Sequence, residues 1–182
     1  MASTDSAILH YERNADSVTL QNLLRATYQQ ILERQPYQQE RRGELAKLEG
    51  EFLRGKVGLR RLVRQIGHSH LYQQLFFNAG CNTRCVEQAF KHFLGRAPSH
   101  KAEVAGYHSI LVKEGLKAMV DAFVDSEEYR LVFGNNTVPH PRSSFTSLSP
   151  MAYLLSHEIN HSHQLAMQQS PLLQSLVALG SR

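Results

Sequence analysis

The 182-residue sequence predicts an all-α fold, a single helical domain of about eight helices made of two related halves, plus a helical C-terminal tail. Three observations carry this expectation. Apolar residues recur at helical spacing from Val18 onward, and no stretch alternates as a half-buried strand does. Glycines and prolines interrupt those stripes where helices should stop. The chain also repeats itself. Gly58-Leu59-Arg60-Arg61-Leu62-Val63, then Ser69-His70-Leu71-Tyr72, then Phe76, returns 57 residues later as Gly115-Leu116-Lys117-Ala118-Met119-Val120, Ser126-Glu127-Glu128-Tyr129 and Phe133. Upstream, Tyr28 with Leu32-Glu33-Arg34-Gln35-Pro36 returns at an offset of 62 as Phe90 with Leu94-Gly95-Arg96-Ala97-Pro98. Such a repeat means two similar supersecondary units sharing one core.

In chain order, residues 1–17 are polar and aperiodic and read as a mobile lead-in. The domain is expected to span 18–142. Leu20, Leu23, Leu24, Tyr28, Ile31 and Leu32 form the first stripe, stopped by Pro36. Leu45, Leu48, Phe52 and Leu53 form the second, and Leu59, Leu62, Val63 and Ile66 the third. Ser69 is placed to cap a short helix carrying Tyr72 and Phe76. Asn82 or Thr83 opens the second half, and Gly95 closes its first helix. Pro98 suits the first turn of the next helix, which Gly115 ends. The stripe Leu116, Met119, Val120 and Phe123 follows, then a short helix capped by Ser126 and favoured by the acids Glu127 and Glu128. Residues 143–182 read as a Ser-rich linker and a helical tail outside the repeat.

Charge is unevenly placed. The net charge is +4, yet Arg54, Lys56, Arg60, Arg61 and Arg64 form a run without an acid. The matching stretch of the second half carries Asp121, Asp125, Glu127 and Glu128. Opposite polarity in the two halves gives a field able to orient a partner. No apolar run approaches the ~18 residues of a membrane span, and no basic-then-apolar leader opens the chain, so it should stay where it is made. Two cysteines, Cys81 and Cys85, one helical turn apart, do not make a disulfide scaffold or a four-ligand zinc site.

Tyr28 to Pro36, Phe52 to Lys56, Gly58 to Arg64, Ser69 to Phe77, Phe90 to Pro98, Asp125 to Gly134 and the ending Asn135-Asn136-Thr137-Val138-Pro139 resemble, in order and spacing, the phycobilisome linker domain of cyanobacteria and red algae. The tail is more similar to that of rod–core linkers than to the stranded capping domain of rod linkers. The resemblance implies a helical, basic, non-enzymatic polypeptide with no cofactor of its own, the bilins being carried by partner subunits. It implies seating inside phycobiliprotein trimers and hexamers (phycocyanin or allophycocyanin), contact with neighbouring linkers, and tuning of bilin energy transfer. It also implies a place in the phycobilisome on the cytoplasmic (stromal-type) face of the thylakoid, peripheral to the membrane.

By the resemblance, phycobiliprotein discs are acidic, so Arg54, Lys56, Arg60, Arg61 and Arg64 are the first candidate contacts; arginine grips carboxylates bidentately. The aromatics Tyr72, Phe76, Phe77, Tyr129 and Phe133 are the second set. The paired rings Tyr72/Phe76 and Tyr129/Phe133 also suit a repeated core, whereas Phe77 has Gly134 as its counterpart in the other copy and suits a surface contact. In the tail, His157-Glu158-Ile159-Asn160-His161 matches the H-E-x-x-H pattern of zinc peptidases. No His, Asp, Glu or Cys follows His163 to supply a downstream third ligand, and His163 lies on another side of the helix from His161. A peptidase or a metal-binding protein is therefore the weaker alternative. A basic nucleic-acid-binding protein is another, set against by the acids interspersed with the bases and by the lack of a recognisable nucleic-acid-binding motif.

Overall fold

A computed structural model of the chain describes residues 8–12, 15–78 and 80–142. Among them are eight α-helices, two of which run on into π-helical turns. The first half holds α1 (Ser17–Leu32), α2 (Glu44–Leu53), α3 (Leu59–His68) and α4 (His70–Tyr72), the last continuing as a π-turn through Gln73–Phe77. The second holds α5 (Asn82–Ala89), continuing as a π-turn through Phe90–Leu94, then α6 (Lys101–Glu114), α7 (Leu116–Val124) and α8 (Glu127–Val132).

The repeated phrases fold alike down to single hydrogen bonds. Ser69 accepts the Tyr72 N–H at 3.2 Å and donates its hydroxyl to the Ile66 carbonyl at 2.6 Å. Ser126 does the same with Tyr129 at 3.1 Å and Phe123 at 2.7 Å. Each serine thus satisfies one helix start and the preceding helix end together, which is why the chain can turn there without a loop. The Arg-x-Pro motifs match too. Arg34 bonds the Gln35 carbonyl and both oxygens of Glu40, while Arg96 bonds the Ala97 carbonyl and both oxygens of Glu103. At the helix ends before them, Glu33 and Gly95 both take a left-handed backbone, φ 60° and 65°. That conformation suits glycine and is uncommon for glutamate.

The halves meet along α3 and α7, the same element of each copy. Val63 and Val120, equivalent residues, are both fully buried there. Gly67 lets the helices close: a Cβ at this position would lie 2.7 Å from Val120 and 2.8 Å from Phe93. The core continues through Tyr28, Phe52, Phe90, Phe93, Phe123 and Tyr129, all at most 1% exposed. Tyr107 of α6 stacks on Phe123 with ring centroids 3.8 Å apart, so α6 is anchored by one ring more than by a broad apolar face. Only Leu111 of that helix is buried outright.

The expected lead-in is partly tied down. Tyr11 is 8% exposed and packs on Phe52. Its N–H bonds the Asn136 carbonyl at 2.6 Å, and the Val138 N–H bonds the Leu9 carbonyl at 3.1 Å. The motif Asn135–Pro139 therefore closes the domain by holding its beginning to its end, a role that helical periodicity does not reveal. Beyond it, His140 crosses Gly95 so closely that a Cβ on Gly95 would sit 1.9 Å from the His140 carbonyl oxygen. The Ser-rich linker, the tail and the His157–His161 motif lie outside the described residues.

Candidate partner-binding surface

The basic run divides into two groups of different work. Arg60 reaches across the seam between the halves: it donates to the Val124 carbonyl at 2.9 Å, to Asp125 at 2.6 Å and to the Asn135 side chain at 3.3 Å. Arg64 pairs with Asp125 and, at 3.5 Å, with Asp121. His68 lies 3.0 Å from Asp121. Arg60, Arg64 and His68 recur at helical spacing along one side of α3, so the row meets the two aspartates of α7 in register. The opposite polarity of the halves is thus spent partly on each other. Arg54, Lys56 and Arg61 are exposed, and no ion pair holds them among the described residues. These three carry charge at the surface that no described acid offsets.

The aromatic set divides as well. Tyr72 and Tyr129 are fully buried and Phe133 nearly so, which places them in the core. Phe76 and Phe77 are half-buried and pack on the core's edge. Phe76 lies 4.9 Å from Tyr72 and 4.5 Å from the ring of His92, centroid to centroid. Phe77 is therefore less free than its lack of a repeat partner suggests, though it retains surface.

Sequence reasoning missed a polar network at the centre. Tyr72 Oη and His92 Nδ1 are 3.1 Å apart, and His92 Nε2 lies 3.1 Å from Glu33 Oε1, which also holds Lys91 at 2.7 Å. Burial drives the His92 pKa below its ordinary value. The hydrogen bond from His92 draws Glu33 down to about 2. A neutral His92 that accepts from Tyr72 and donates to ionised Glu33 satisfies all three groups. Gln30, at the repeat position of His92, donates its amide to the carbonyls of Lys91 and His92, both at 3.0 Å. Those carbonyls belong to the π-turn, and the Lys91 carbonyl also accepts the Gly95 N–H at 3.1 Å. A second network joins Arg96 to Glu103 at 2.5 Å and to Glu128 at 2.5 Å, and Glu128 to Arg142. Burial raises the Glu103 and Glu128 carboxyls, but the hydrogen bonds and charge of Arg96 outweigh it and leave both below the ordinary value. The duplicated Arg-x-Pro was the available signal for it.

Tyr72–His92–Glu33 has the composition of a proton relay, but Tyr72 and His92 are fully buried, so a substrate cannot reach them. Burial also pushes the Cys85 thiol up to about 11, which suits a packing role better than a nucleophile. Among the described residues no cluster of three or more His, Cys, Asp or Glu could hold a metal ion. No helix of the described residues is long and apolar enough to cross a membrane. The described residues thus form a duplicated helical scaffold with charged networks inside and exposed basic residues, Arg54, Lys56 and Arg61 among them, outside.

The comparison with known families places this scaffold. The Phycobilisome Linker polypeptide family model matches residues 15–142, and the chain belongs to that family. Among relatives, it is 36% identical over 137 residues to the phycobiliprotein ApcE of Porphyra purpurea, covering 75% of this chain and 16% of that protein. It is 42% identical over 123 residues to ApcE of Synechocystis sp., covering 66% and 13%, and 37% identical over 128 residues to ApcE of Microchaete diplosiphon, covering 70% and 12%. The chain therefore corresponds to a small part of each of these relatives.

Proposed function

We propose that this chain is a non-enzymatic linker that seats in the central opening of phycobiliprotein trimers and hexamers and joins them within the light-harvesting antenna. The observation that carries the reading is the exposed trio Arg54, Lys56 and Arg61, without ion pairs among the described residues while Arg60 and Arg64 are consumed internally. A basic face on a rigid helical body suits an acidic protein ring, and salt should weaken its hold. The chain carries no cofactor of its own in this reading; the bilins sit on phycocyanin or allophycocyanin, and neighbouring linkers are further contacts. Nucleic acid is not a partner. The assembly lies on the cytoplasmic (stromal-type) face of the thylakoid, peripheral to the membrane. Phe76 and Phe77 are the aromatic residues of the site set with surface left to touch a partner's bilin, and a ring there changes the chromophore's packing and local dielectric.

The test is direct. The purified chain is mixed with phycocyanin trimers and separately with allophycocyanin trimers, and the products are sedimented. Hexamer-sized complexes containing the chain with one of them are expected; trimers left unchanged in both mixtures would reject the reading.

A further inference from the structure

α8 carries the most exposed large apolar side chain of the described residues, Leu131 at 72%, with Val132 beside it at 36%. The first half has no counterpart of this apolar surface. The residue equivalent to Leu131, 57 positions earlier, is Gln74, and the residue equivalent to Val132 is Leu75, which packs against the core. Two copies of one scaffold thus differ at a surface position, polar in one and apolar in the other. The apolar copy is the one where the chain leaves the domain. Arg142, the last described residue, donates its N–H to the Gly95 carbonyl at 2.8 Å and pairs through its side chain with Glu128 of α8. Glu128 stands three and four positions before Leu131 and Val132, so the exit point and the apolar pair lie within one turn of the same helix.

From this placement we infer that residues 150–169 of the same chain dock on the Leu131/Val132 face of α8. Residues 143–149 form the tether, which spans up to about 25 Å when extended, ample for a site that starts one turn away. Within 150–169, Met151, Leu154, Leu155, Ile159 and Leu165 fall on one side of a helix of about 3.6 residues per turn. His157, Asn160, His161 and His163 fall outside that arc. Glu158 is the single acid after residue 142, and Arg130, a largely exposed cation whose described partner is the equally exposed Glu127 at 3.6 Å, precedes Leu131. The docked segment covers the apolar pair, brings Arg130 a second carboxylate from within the same arc and leaves its histidines outside the covered arc. The inference stands independently of which antenna protein the domain binds.

The chain contains no tryptophan, so Leu131→Trp in the full-length protein is a unique fluorescent probe at a position where a large ring meets no steric barrier. Its emission is read by spectrum and by acrylamide quenching, at several protein concentrations, with circular dichroism as a check on helix content. The expected result is a blue-shifted, quencher-protected tryptophan at all concentrations, returned to the solvent-exposed spectrum by adding Leu155→Asp and Ile159→Asp in the tail. Four outcomes overturn the inference. The probe is exposed from the start; its protection survives both tail substitutions; its protection grows with concentration, which assigns the face to a second copy; or protection comes only with phycobiliprotein trimers, which assigns it to the partner.

Discussion

His92 sits between a phenol and a carboxylate with no water-facing surface, and its titration is tied to folding. The unfolded chain binds a proton there near the ordinary value of 6.5, while burial holds the folded value lower. Folding therefore excludes a proton, and stability must fall as pH drops through and below 6.5. Glu33 adds to this at lower pH. Its folded value is about 2 against an ordinary 4.5, so its contribution is whole above 4.5 and is lost as pH falls toward 2. The thermal midpoint measured from pH 8 to 3 should decline in two overlapping stages. His92→Gln should lower the midpoint at pH 8 and flatten the decline that begins near the ordinary value of 6.5; an unchanged slope there would show that His92 is charged in the folded protein. Gly67 makes a different demand. Ala at this position forces Val120 or Phe93 out of place in a rigid core, and a cost of about 1–3 kcal/mol is expected by chemical denaturation.

At the level of elements, the repeat was legible because its signals are local: Ser caps, Gly and Pro stops, and apolar stripes. The helical class, the number of α-helices and the equivalence of α3 with α7 all follow from such signals. What the two copies do to each other was not legible. Arg64 and Asp121 occupy the same position of the repeat, 57 residues apart, and the structure brings them together across the seam. Where equivalent residues of the two copies face one another, as these do, identical charges would repel and the copies need opposite ones. The polarity difference that suggested a partner is partly the interface between the halves. The polar network was not legible either, because Gln30, His92 and Tyr72 come from separate elements and their hydrogen bonds have no periodicity. The seam makes a charge-swap prediction. Arg64→Asp and Asp121→Arg should each destabilise the domain by up to about 1 kcal/mol, since the groups are partly solvated. Combining them should cost less than the sum, measured as a double-mutant cycle in urea. Strict additivity would mean that the two side chains do not interact.

For the whole molecule, the same division of charges decides how assembly should respond to mutation. Of the five basic residues the sequence marked, two carry ion pairs among the described residues and three do not, and only a folded structure separates them. Arg60→Glu or Arg64→Glu places an acid beside Asp125, so loss of assembly in those variants would follow from a weakened domain as readily as from a lost contact. Arg54→Glu, Lys56→Glu and Arg61→Glu together leave the seam and the core untouched. The triple variant should keep the wild-type helix content and thermal midpoint within the small range typical of surface changes, about 0.5 kcal/mol. Its association with phycobiliprotein trimers should weaken markedly at low ionic strength, and the gap from wild type should narrow as salt rises and screens the wild-type attraction. Sedimentation of mixtures at two or three salt concentrations reads both effects at once. Equal hexamer formation by variant and wild type at low salt would remove the trio from the interface and leave Phe76 and Phe77 as the remaining candidates. In that case Phe77→Ala should lower affinity or shift the partner's bilin absorption without altering the domain's stability by more than the loss of a half-buried ring requires.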